Sequence, residues 1–96
     1  MDDLQRAFDL RHSSDRERLA GRAAAALTDA TAAADIYAGL PDRALDLANA
    51  LRLKALALDA LDRPGEAVVD WAEARRIYAE LGVAEGAAEC DARLSR

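Results

Sequence analysis

Ninety-six residues give one domain and leave no room for a second, and at this length folding buries only a modest share of the surface, so stability has to come from closely packed regular elements. Alanine, leucine, arginine, aspartate and glutamate dominate, the aromatics are Phe8, Tyr37, Trp71 and Tyr78, and β-branched residues are scarce, which excludes a sheet-rich fold and points to helices throughout. Thirteen basic residues against 18 acidic ones, a net of −5, make the chain repel phosphate backbones and exclude nucleic acid as a partner of this segment alone.

The first helix is expected over 3–19. Its start, Met1-Asp2-Asp3-Leu4-Gln5-Arg6, lacks the basic end and apolar core of a signal peptide. Within it, Ser14-x-x-Glu17 has the form of a capping box, which leaves open a helix that begins near 15 instead. The second helix, 23–39, carries Ala26, Ala30, Ala33, Tyr37 and Leu40 at steps of four and three, the spacing that lines one helix face, and Gly39 and Pro41 close it.

The third, 43–61, is apolar nearly all round, as suits an element walled in by neighbours. Asp62-Arg63-Pro64-Gly65 then turns the chain. The fourth helix, 65–81, repeats the stripe as Ala67, Trp71, Ala74, Tyr78 and Leu81, and Gly82 follows as a C-cap. The fifth, 84–95, aligns Val83, Ala87, Cys90 and Leu94. No apolar run approaches the roughly 20 residues needed to cross a bilayer, so the expectation is a soluble cytoplasmic protein without membrane contact. The lone Cys90 has no partner for an internal disulfide and fits a reducing compartment.

The chain repeats itself. A shift of 41 residues aligns 4–40 with 45–81 and gives twelve identities, among them Leu10/Leu51, Arg11/Arg52, Asp29/Asp70 and the block Ile36-Tyr37-Ala38-x-Leu40 against Ile77-Tyr78-Ala79-x-Leu81. A third copy keeps Arg52/Arg93 and Leu53/Leu94. The units are about 3–41 and 44–82, with a partial unit or capping helix over 83–96.

In the second unit, Leu51, Ala55 and Leu58, the turn Leu61-Asp62-Arg63-Pro64, then Ala67, Trp71 and Ala74 resemble a tetratricopeptide repeat. Departures are Asp62 where glycine is usual, Lys54 where a large apolar residue is usual, and a unit longer than the common length of about 34. The long unit is similar to the kinesin-light-chain-like branch, and the Ala/Arg/Asp-rich composition resembles helical repeats of high-GC bacterial regulators. The resemblance implies an all-α stack of antiparallel hairpins, about five helices in a short right-handed superhelix. It also implies a scaffold or adaptor that binds a peptide or protein segment on its concave face, lined by the first helix of each hairpin.

Polar residues are rare on the third helix, so those present are informative. Asn49, Arg52 and Asp59 fall within roughly 80° of one another at 100° per residue, while Lys54 points elsewhere. The 41-residue period places Arg11, Arg52 and Arg93 at one position of successive units, a column of guanidinium groups able to grip carboxylates in paired fashion. Arg11, Asn49, Arg52, Asp59 and Arg93 are thus the candidate partner-binding residues, for an acidic segment or a free C-terminus. The competing reading is that these arginines are solvated and paired with acids such as Asp46 or Asp59.

Tyr37, Trp71 and Tyr78 belong to the packed stripe, and their hydroxyls and indole nitrogen need hydrogen-bond partners. His12 stands alone, which argues against a metal site, and Cys90 reads as a small packed residue. With no glycine-rich phosphate loop, nucleophile turn or desolvated carboxylate, neither a catalytic residue nor a cofactor is expected and the chain is read as a non-enzyme. Two alternatives remain. A stack of so few hairpins leaves apolar ends that a second copy would cover, giving a homo-oligomer, or the chain is one segment of a larger regulator.

Overall fold

Five helices make up the regular structure of residues 2–96, the part of the chain described by the computed structural model: α1 Asp3–Leu19, α2 Ala23–Ala38, α3 Ala44–Ala60, α4 Pro64–Glu80 and α5 Ala84–Leu94. Each lies within a residue or so of its sequence expectation. The Asp2 side chain caps α1 by accepting the Gln5 N–H at 2.7 Å.

The alternative start near 15 is not adopted. Ser14 sits inside α1, 1% exposed, and its hydroxyl donates to the Ala26 carbonyl at 2.7 Å, so the small side chain joins α1 to α2 and caps nothing. Its counterpart in the next unit, Ala55, is fully buried. A small residue here lets two helices of one hairpin approach closely.

Three helices end alike. Gly21, Asp62 and Gly82 adopt left-handed backbone angles, with φ of 83°, 57° and 74°. The next residue of each returns its N–H to a carbonyl five residues back: Arg22 to Glu17 at 2.8 Å, Arg63 to Leu58 at 2.9 Å, and Val83 to Tyr78 at 2.8 Å. Pro64 opens α4 at a position where no helical N–H is needed.

Every helix packs on its neighbours in the chain, and α1 also touches α3, whereas α2 and α4 do not meet. The result is a stack of hairpins in which α1 and α3 meet along one side, termed the inner side, while α2 and α4 stay apart on the other. The core runs between layers through Tyr37, Leu53, Leu58, Trp71, Ile77, Tyr78 and Cys90. Trp71 is 1% exposed, and its truncation to alanine costs about 3–5 kcal/mol by the usual cost of an aromatic cavity. Gly86 of α5 lies against the Tyr78 ring so closely that a Cβ there would stand 2.7 Å from ring carbons.

Repeat-equivalent polar pairs also tie the two helices of each hairpin. Ser13 donates to Asp29 at 2.6 Å, and 41 residues later Lys54 faces Asp70 at 3.5 Å. Lys54, out of place by its polarity, therefore has a matched acid. No helix among the described residues is long and apolar enough to cross a membrane.

Candidate binding face

The residues singled out in the sequence fall into two groups on the inner side of the stack. Arg11 from α1 and Asn49 and Arg52 from α3 line one cavity of about 180 Å³, together with His12, Asp15 and Leu53. Asp59 and Arg93 line a second, of about 350 Å³, between the end of α3, the start of α4 and α5. Arg93 does not extend the Arg11–Arg52 row. Its guanidinium lies over the Trp71 ring, 5.4 Å from the centroid, and reaches Asp59 at 3.8 Å.

Each of the three arginines faces an acid. Glu89 of α5 holds Arg52 through both Nε and Nη2, the latter at 3.2 Å. Arg11 stands 3.7 Å from Asp46. The pairing with Asp46 and Asp59, the plainer reading of the sequence, is realised, and it coexists with the cavities. The hydrogen bond from Arg52 to Glu89 raises the arginine pKa further, so the guanidinium stays charged at any working pH.

Asn49 and Asp59 have structural duties as well. The Tyr78 hydroxyl donates to Asn49 Oδ1 at 2.6 Å, and the Trp71 indole N–H donates to Asp59 Oδ2 at 3.0 Å. Arg96 adds a bond to the same carboxylate at 3.1 Å. Burial pushes the Tyr78 hydroxyl up to about 12, which keeps it a donor. The polar side chains on an otherwise apolar α3 are thus in part what the aromatic rings of α4 require.

Glu89, His12 and Asp15 were not among the candidates. Glu89 has no counterpart in the repeat, since the position 41 residues earlier is Ala48, so the period gives no signal for it. His12 is exposed and its ring lies against Phe8, with centroids 4.3 Å apart, while Arg11 sits 5.8 Å from the same ring. Cys90 is fully buried, and burial first, then neighbouring Glu89 and Asp91, raises its thiol pKa. Among the described residues no three His, Cys, Asp or Glu side chains are grouped so as to hold a metal ion.

Chemically, the first cavity offers two guanidinium groups and an amide in a shallow, solvent-open setting. That arrangement can hold a carboxylate. Comparison of the chain with protein-family models, with curated proteins and with solved structures finds no match.

Proposed function

We propose that this chain is a tetratricopeptide-repeat-like interaction module that works in the cytoplasm, catalyses no reaction, and holds an acidic segment or free carboxyl end of another protein on its inner face. The observation that carries this reading is the meeting of Arg11, Asn49 and Arg52, from two successive units, around a single cavity. Arginine binds carboxylates through a rigid pair of donors. Its present bond to Glu89 does not stand in the way: a half-exposed ion pair is worth only about 0–1 kcal/mol, which a ligand carboxylate of better geometry exceeds.

The test is a titration with a labelled acidic peptide bearing a free C-terminus. Arg11→Glu with Arg52→Glu abolishes binding, while Glu89→Gln, which removes the internal competitor, strengthens it by about fivefold, equivalent to about 1 kcal/mol. Unchanged binding by the charge-reversed protein sinks the reading.

Self-association is favoured by a different observation. Leu4, Phe8 and Leu45 are 38%, 47% and 45% exposed, large apolar side chains of α1 and α3 that a second copy would cover. Light scattering over a hundredfold range of concentration decides it, since a monomer at every concentration removes this alternative.

A further inference from the structure

The two units differ most informatively at a pair of tyrosines. Tyr78, 2% exposed, donates its hydroxyl to Asn49. Its counterpart Tyr37 is buried to the same 2%, but in the first unit the place of Asn49 is taken by Phe8, which offers a ring and no acceptor. No side chain or carbonyl among the described residues accepts from Tyr37. The ring is buried while the hydroxyl itself keeps access to solvent, so its donor is free to meet a ligand.

Tyr37 instead borders a cavity of about 350 Å³ between α1, the end of α2 and the start of α3. Leu4 and Phe8 form one wall. Arg11 and Arg43 form the other, and the two guanidinium groups share a single carboxylate, Asp46, at 3.7 and 3.4 Å. Asp2 also borders the cavity, with its carboxylate committed to the capped end of α1. The volume is at the lower end of small-ligand pockets, room for one residue and not for a folded element.

We propose that this cavity binds the carboxylate of an apolar amino acid. One carboxylate oxygen accepts the Tyr37 hydroxyl as Asn49 accepts that of Tyr78, the second faces Arg43, and the side chain lies on Phe8 and Leu4. Two arginines sharing one acid leave donor capacity for a second, which favours a carboxylate over a neutral amide. The residue is either the last of a peptide or a free acylated amino acid, since both present the same groups. The site shares only Arg11 with the Arg52 cavity and stands if that cavity proves empty.

The full chain is titrated with N-acetyl-leucine, its amide, and the peptide acetyl-Ala-Ala-Ala-Leu with free and amidated ends, followed by amide chemical-shift changes. The acids bind at millimolar concentration or below and the amides about tenfold more weakly. Tyr37→Phe weakens the acids about tenfold without lowering the thermal midpoint. Tyr78→Phe lowers the midpoint and leaves binding intact, and the amide shifts caused by N-acetyl-leucine cluster around Phe8, Tyr37 and Arg43 and spare Asn49 and Arg52, which separates this site from the other cavity. Preference for the peptide identifies a chain terminus as the ligand and preference for acetyl-leucine a small acid, and either upholds the site. Equal binding of acid and amide, wild-type binding by Tyr37→Phe, no binding at all, or a dimer that covers Phe8 overturns it.

Discussion

Tyr78 and Tyr37 occupy the same place in successive units, yet one hydroxyl is satisfied within the protein and the other is not. Stability should reflect this. Tyr78→Phe removes a bond at 2.6 Å and leaves Asn49 half-buried, so urea denaturation should show a loss of about 1 kcal/mol. The same change at Tyr37 should leave the midpoint where it is or raise it. A second residue-scale expectation concerns Asp62. Glycine is usual at this turn and is present at Gly21 and Gly82, and Asp62 adopts the same left-handed backbone, φ 57°. A side chain with a Cβ is strained there, so Asp62→Gly should stabilise the protein by about 0.5–1 kcal/mol in the same assay, the strain relieved exceeding the entropy that glycine adds to the unfolded chain.

Between elements, the rungs Ser13–Asp29 and Lys54–Asp70 show how a repeat can keep a position and change its chemistry. Asp70 is 7% exposed, and burial, offset in part by Lys54, raises its pKa above the ordinary aspartate value. A raised folded pKa means that the stability from this group is complete below the ordinary carboxylate range and is lost as pH rises through the folded value. Asp70→Asn should therefore gain up to about 1 kcal/mol over the native protein at pH 7, and the difference should vanish on acidification, when Asp70 carries a proton too. Denaturation curves of the two proteins from pH 3 to 8 check the trend.

The helices themselves are legible because period, caps and turn residues agree: of the stripe Ala67, Trp71, Ala74, Tyr78 and Leu81 the first four are buried as the spacing requires, and Leu81, the C-cap just past the last turn of α4, is 48% exposed. The candidate face was legible only in part. The sequence states that Trp71 and Tyr78 need hydrogen-bond partners and that α3 carries Asn49 and Asp59. What it lacks is the packing that brings those needs together, across 12 and 29 residues of chain. Glu89 was invisible for the same reason, since its pairing with Arg52 depends on how α5 lies across the inner face and follows no period.

At the scale of the whole molecule, α5 packs its backbone on α4, meets α3 through the pairs Arg52–Glu89 and Arg93–Asp59, and carries the one cysteine on its buried side. Cys90 is inaccessible while that helix is docked, so a thiol reagent should label the native protein slowly. Labelling should also accelerate at urea concentrations below the midpoint of global unfolding followed by circular dichroism, because detaching α5 opens less of the structure than global unfolding does. Coincident transitions would show that the five helices unfold as one unit.

Packing confined almost wholly to chain neighbours has a further consequence, for the time the chain needs to reach its native state. Each helix has only to find the one made just before it, so contact order is low and every loop to be closed is short. No pairing of distant segments stands between the unfolded chain and the stack, and folding belongs in the range of microseconds to milliseconds typical of small helical proteins.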